Sequence, residues 1–243
     1  MKKLMIAASA ALCATVGLCV ESANVVGYQN NEFDASGWMI NVGVAFSNVG
    51  SVDGSFTLDD SFFSGEATEG DQFITLDADL WDLYTYEKAP AGDGWLVVAP
   101  DGSSEIVAGI TFSKGDMLYY IPVVATTATV AGQVADTTQP QSVTFDVNNA
   151  EGKWMFPLVN PYPIDTTWGD LNAFMNEGDQ LIMLDADLWD LYTYEKAPAG
   201  DGWLVVAPDG SSEIINDEDA VALPAGNAAY YIPTQTVTWT VTL

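Results

Sequence analysis

The chain has 243 residues, with 34 acidic side chains against six lysines, no arginine, no histidine and a formal net charge of −28. Such a balance repels phosphate backbones and anionic lipid surfaces, so nucleic acid is excluded as a partner on charge. Without histidine, and with Cys13 and Cys19 both inside the N-terminal segment 1–19, a Ser-His-Asp triad, a Cys-His pair and an ordinary zinc site are excluded.

The first element is a short basic head, Lys2-Lys3, followed by an apolar run from Leu4 to Leu18 and then small residues. This reads as a secretory signal peptide over residues 1–19, too short for a membrane span. The expected localisation is outside the cytoplasm: periplasm, cell surface or medium. The exported part then carries no cysteine and must hold together by packing alone. No later segment is long and apolar enough to serve as a transmembrane helix.

Residues 24–134 read as a first β unit. Gly37-Trp38-Met39 opens a strand with Trp38 expected in the core, and Thr57 to Phe63 carries the spacing of a short helix. The run Gln72 to Leu76 is strand-like, and Asp77 to Asp82 (DADLWD) reads as a loop. Leu83 to Glu87 alternates, with Tyr84 and Tyr86 on one face and Leu83 and Thr85 on the other. A turn at Pro90 to Gly94 leads into the strand Trp95 to Val98, and a Pro-Asp-Gly turn at Pro100 leads into Glu105 to Val107. Strands over Met117 to Ile121 and Thr126 to Val134 complete the unit. Short strands between Gly/Pro/Asp turns every eight to twelve residues predict an antiparallel meander.

A linker, Ala135 to Pro140, leads to a second unit over 141–243. There the 31 residues from Leu76 to Ile106 recur without change from Leu184 to Ile214. Glu69 to Gln72 matches Glu177 to Gln180, and Gly115 to Pro122 (GDMLYYIP) matches Gly226 to Pro233 (GNAAYYIP). Gly37-Trp38-Met39 echoes Lys153-Trp154-Met155, with Trp154 also expected in the core, and Tyr28 to Asn31 is set beside Val147 to Asn149. A second short helix is expected near Trp168 to Met175. The fold class expected is all-β: two tandem antiparallel sandwich or barrel-like units after a signal helix. Whether the units are independent beads or a fixed pair stays open at this point, as does the oligomeric state.

The chain resembles a loose group of uncharacterised secreted bacterial β-repeat proteins. The resemblance is carried by Ser22 to Tyr28 (SANVVGY) after the signal peptide, Gly37-Trp38, the Gly70-Asp71 strand, Tyr84-Thr85-Tyr86, Gly94-Trp95 and the Gly115 to Tyr120 strand. It implies a secreted β-repeat protein and supplies no catalytic residues.

Two sets of side chains are candidates for chemistry. Asp77, Asp79 and Asp82, with copies Asp185, Asp187 and Asp190, offer oxygen ligands at close spacing, as calcium requires. They lack the glycine and distal glutamate of an EF-hand loop, and aspartate also caps turns, so no cofactor is assigned and calcium is the one metal left open. Trp81, Tyr84 and Tyr86, with Trp189, Tyr192 and Tyr194, offer ring faces on which an extracellular glycan, or a protein partner, can stack. Trp95 and Trp203 belong to the same aromatic set. The expected function is a secreted or surface-associated structural or binding protein built from a duplicated module, not an enzyme. A calcium-stabilised carbohydrate-binding or adhesive protein is the second reading. A glycoside hydrolase using paired aspartates is the third.

Overall fold

The computed structural model describes residues 26–33, 40–45, 55–58, 67–76, 83–90, 94–135, 139–162, 164–184, 191–198 and 202–242. The proposed signal peptide, Trp38, and the loops 77–82 and 185–190 lie outside the described residues.

The fold is almost all β, as expected. In the first half lie β1 (Val26–Phe33), β2 (Ile40–Gly43), β3 (Ser55–Leu58), β4 (Gln72–Leu76), β5 (Leu83–Lys88), β6 (Trp95–Val98), β7 (Ser104–Val107), β8 (Ile110–Ser113), β9 (Met117–Ile121) and β10 (Thr126–Gln133). The second half has β11 (Gln141–Phe145), β12 (Phe156–Val159), β13 (Thr166–Thr167), α1 (Trp168–Asn172), β14 (Gln180–Leu184), β15 (Leu191–Lys196), β16 (Trp203–Val206), β17 (Ser212–Ile215), β18 (Val221–Leu223), β19 (Ala228–Ile232) and β20 (Val237–Val241).

Each half builds one six-stranded antiparallel sheet, in the order β2-β9-β4-β5-β6-β7 and β12-β19-β14-β15-β16-β17. Two two-stranded ribbons accompany each sheet: β3-β8 and β1-β10 in the first half, β13-β18 and β11-β20 in the second. Raising every strand number of the first half by ten reproduces the second. The strands of the repeated block form because turn chemistry and alternation agree. Gly94 and Gly202 adopt φ of 78° and 73°, and a Cβ on either would stand 2.2 Å from the carbonyl oxygen of Val107 or Ile215. Only glycine fits there, which accounts for the Gly-Trp pair at the start of both β6 and β16.

Both faces of the middle strands β9, β4, β19 and β14 are buried, whereas the edge strands β7 and β17 are mostly exposed, and in the middle strands successive residues serve different cores. In β4, Phe73 packs with Trp95, Phe112, Leu118 and Tyr120 against the ribbons of its own half. Its neighbour Ile74 points the other way, into a core shared with the second half: Leu76, Met117 and Tyr119 meet Met155, Val159, Ile182, Leu184, Ala228 and Tyr230. The second half has its own core behind that, around Leu181, Trp203, Tyr231, Phe145 and Trp239. The molecule is therefore layered: ribbons, sheet, sheet, ribbons.

The seam has near-twofold chemistry. The Tyr119 and Tyr230 rings lie 6.4 Å apart. The Tyr230 hydroxyl accepts from the Leu76 backbone N–H at 3.2 Å, while the Tyr119 hydroxyl faces the Leu184 backbone without closing a hydrogen bond. Gly43 N–H donates to Gly226 O at 2.7 Å across the seam, and a Cβ on Gly43 would approach Val159 Cγ1 to 3.0 Å. The two halves form a fixed pair, not beads.

Three expectations need correction. Trp154 is 45 % exposed. It precedes β12, an edge strand whose pairing begins only at Phe156, and its neighbour Met155 takes the buried place. Thr57 and Leu58 lie in β3, paired with Thr111 and Ile110, because sheet pairing overrides the helical spacing; residues 59–63 lie outside the described residues. Tyr28 to Asn31 sit in β1 whereas Val147 to Asn149 follow β11, so the structural counterpart of β1 is Gln141–Phe145. The helix near Trp168 is present. Thr167 caps it with a capping box closed by Asp170, which satisfies first-turn N–H groups.

Candidate functional site: two tyrosine-walled clefts

β5 and β15 each present two tyrosines on the ribbon-facing side of the large sheet. Register sets Tyr84 opposite Thr75 and Tyr86 opposite Phe73; the copy sets Tyr192 opposite Met183 and Tyr194 opposite Leu181. The inner tyrosine anchors to the core. Tyr86 meets Phe112 edge-on at 6.1 Å, and Tyr194 lies 5.2 Å from Trp168. The outer tyrosine, Tyr84 or Tyr192, is half-buried and keeps part of its ring available. Tyr192 and Tyr194 stack at 6.5 Å with 28° between their planes.

Beside each pair a cleft opens where the large sheet meets the small ribbon. In the first half Tyr84 and Tyr86 face Thr111, Phe112 and Asp116 across it, with Thr75 on the tyrosine side. In the second half Tyr192 and Tyr194 face Ala222, Leu223 and Asn227, with Met183 in the place of Thr75. The positions correspond: the tyrosines are offset by 108 residues and the facing residues by 111. Lys153, Met155 and Pro157 from the second half also line the first cleft, so that cleft straddles the seam. Lys153 pairs with Glu151 at 3.0 Å.

Of the candidate residues, the structure places Tyr84 and Tyr86 together, and likewise Tyr192 and Tyr194. Trp81 and Trp189 lie outside the described residues, as do Asp77, Asp79, Asp82, Asp185, Asp187 and Asp190. Those segments join Leu76 to Leu83 and Leu184 to Leu191, which are register partners. Among the described residues, no three acidic or other ligating side chains gather to hold a metal ion. Trp95 and Trp203, each 1 % exposed, are core rather than surface.

Two buried carboxylates were matched in sequence as Gly-Asp pairs without a role. Asp179 accepts from Asn176 N (2.7 Å), Tyr231 Oη (2.5 Å), Thr234 N (2.7 Å) and Thr234 Oγ1 (2.7 Å). Asp71 accepts from Thr68 N, Tyr120 Oη and Val123 N at 2.8–2.9 Å. Each ties the start of β4 or β14 to β9 or β19 and to the loop that follows. Burial, and after it the bonded carboxylate, push the Tyr120 and Tyr231 hydroxyls well above the ordinary phenol range. These groups are fully engaged and structural.

Lys196 is also structural. Its Nζ donates to Asn172 O and Met175 O at 2.8 and 2.6 Å, satisfying carbonyls at the end of α1. In the first copy Lys88 Nζ sits 5.5 Å from the Trp95 ring centroid.

The facing wall of each cleft, Thr111, Phe112 and Asp116 or Ala222, Leu223 and Asn227, was not singled out by sequence reasoning. It lies outside the repeated block, on the ribbon strands β8 and β18 and in the turns before β9 and β19, whose place beside β5 and β15 no local pattern encodes. The chain matches no family model, no curated protein and no solved structure.

Proposed function

We propose that this is an exported structural or binding protein, without catalysis, that holds an extracellular glycan in two tyrosine-walled clefts. The observation that carries the reading is the recurrence of the cleft: the same tyrosine pair lines the same opening in both halves. Half-buried tyrosines offer flat apolar faces with a polar tip, the combination that stacks on a sugar ring while its hydroxyls stay hydrogen-bonded. The strongly acidic chain disfavours anionic ligands, which directs the reading to neutral saccharides. Two weak sites on one rigid body raise avidity for a repeating polymer wherever both engage.

The test is a neutral-glycan array probed with the chain lacking residues 1–19, beside the double variant Tyr84→Ala/Tyr192→Ala. Binding by the parent that the folded double variant loses is the expected result. A blank array for the parent, or equal binding by the variant, sinks the reading.

A further inference from the structure

The two clefts share a tyrosine pair and differ in the residues around it. Tyr84 and Tyr86 lie inside the repeated block, so the rings are the same as Tyr192 and Tyr194. Lys153, Met155 and Pro157 line the first cleft only, and four matched positions outside the block change. Thr75 becomes Met183, Thr111 becomes Ala222, Phe112 becomes Leu223 and Asp116 becomes Asn227. The second cleft thus exchanges two hydroxyls for apolar groups and a carboxylate for an amide.

Resting on the binding reading above, we propose that the clefts are specialised: the first selects an all-hydroxyl neutral sugar, the second a sugar bearing a methyl-ended substituent such as an N-acetyl group. The argument is one of matching. A sugar hydroxyl entering the first cleft finds Thr75, Thr111 and the Asp116 carboxylate as partners, and hydrogen bonds to a charged acceptor are the stronger kind. In the second cleft the same hydroxyl would be desolvated against Met183 and Ala222, which costs free energy. An acetyl methyl buries apolar surface there instead, and the amide side chain of Asn227 both donates and accepts, which suits an amide substituent. Asp116 has a second duty: one of its oxygens accepts from Ser113 N at 2.7 Å. Asparagine keeps an acceptor for that bond, so Asp116→Asn tests specificity without removing the turn.

The experiment titrates the full exported chain with cellohexaose and with chitohexaose by calorimetry, for the parent, Tyr84→Ala, Tyr192→Ala and the triple variant Thr75→Met/Thr111→Ala/Asp116→Asn. Melting temperature and circular dichroism establish that each variant is folded, and Tyr84→Phe and Tyr192→Phe serve as ring-preserving controls. The expected result is that Tyr84→Ala weakens cellohexaose about tenfold or more and leaves chitohexaose, that Tyr192→Ala does the reverse, and that the triple variant exchanges the preference of the first cleft. Equal losses of both probes in the two single variants would overturn specialisation while leaving the binding reading intact. Unchanged binding of both probes in both folded alanine variants, or no binding of either probe by the parent, would overturn specialisation; retained binding would take the tyrosine reading with it.

Discussion

Ile74→Ala is the sharpest probe of how the halves are joined. Ile74 is 7 % exposed, and its side chain lies in the core shared with Ile182, Leu184 and Tyr230 rather than in that of its own half. Were the halves beads on a linker, that face of the sheet would meet water and the change would cost within about 0.5 kcal/mol. In a packed interior, cutting isoleucine to alanine removes the transfer energy of three carbons and leaves a cavity, about 2–5 kcal/mol. With a urea slope of ~2–3 kcal/mol/M for a chain of this size, the midpoint falls by about 1 M. Tryptophan fluorescence is the readout, because Trp95 reports the first core and Trp168, Trp203 and Trp239 the second. One transition that shifts as a whole is expected. Ile182→Ala should match it, and the double variant should be non-additive because the two side chains share the core. A loss under 0.5 kcal/mol, or two transitions of which only one moves, would refute the shared core.

Three further outcomes follow from the same contacts. Asp179→Ala strips the acceptor from Tyr231, Asn176 and Thr234 and should cost about 3–5 kcal/mol, with Asp71→Ala milder by ~1 kcal/mol because it orphans one donor fewer; thermal or urea unfolding checks the order. Tyr119, Tyr120, Tyr230 and Tyr231 all have hydroxyls raised above the ordinary value of 10.0, chiefly by burial. A raised acid stabilises the fold fully below its unfolded pKa, and that stability drains as the pH climbs beyond it. Unfolding monitored against pH should therefore steepen above pH 10.0, and a flat profile to pH 12 would contradict the burial of these rings. Calcium at millimolar concentration should leave the melting temperature unchanged. Exposed aspartates of the described turns spend their oxygens on local backbone, Asp101 on Ser103 N–H and Asp209 on Ser211 N–H at 2.8 Å each, the ordinary use of aspartate in turns. A calcium-dependent rise abolished by changing Asp77, Asp79, Asp185 and Asp187 to asparagine would contradict this expectation.

The strands of the repeated block were legible because two local signals coincide. Pro-Asp-Gly and Gly-Trp turns set the ends, and period-two alternation sets the faces. Which partner each face meets was not legible. Met117 to Tyr120 are four consecutive buried residues, and a strand apolar on both sides announces two cores without saying that one belongs to the other half. Trp154 misled because size argues for burial, whereas strand pairing decides it. The tyrosines of the clefts were readable from alternation. Their facing wall was not, since it arrives from a ribbon about 25–30 residues further along, through pairings set by tertiary packing.

The most direct measurement is ring-resolved NMR of the chain lacking residues 1–19 and carrying labelled tyrosine, titrated with cellohexaose and chitohexaose. Shifts at Tyr84, Tyr86, Tyr192 and Tyr194, with Tyr119 and Tyr230 unmoved inside the seam, are the predicted result. No movement at the four cleft rings, or binding that registers only elsewhere, would contradict the account.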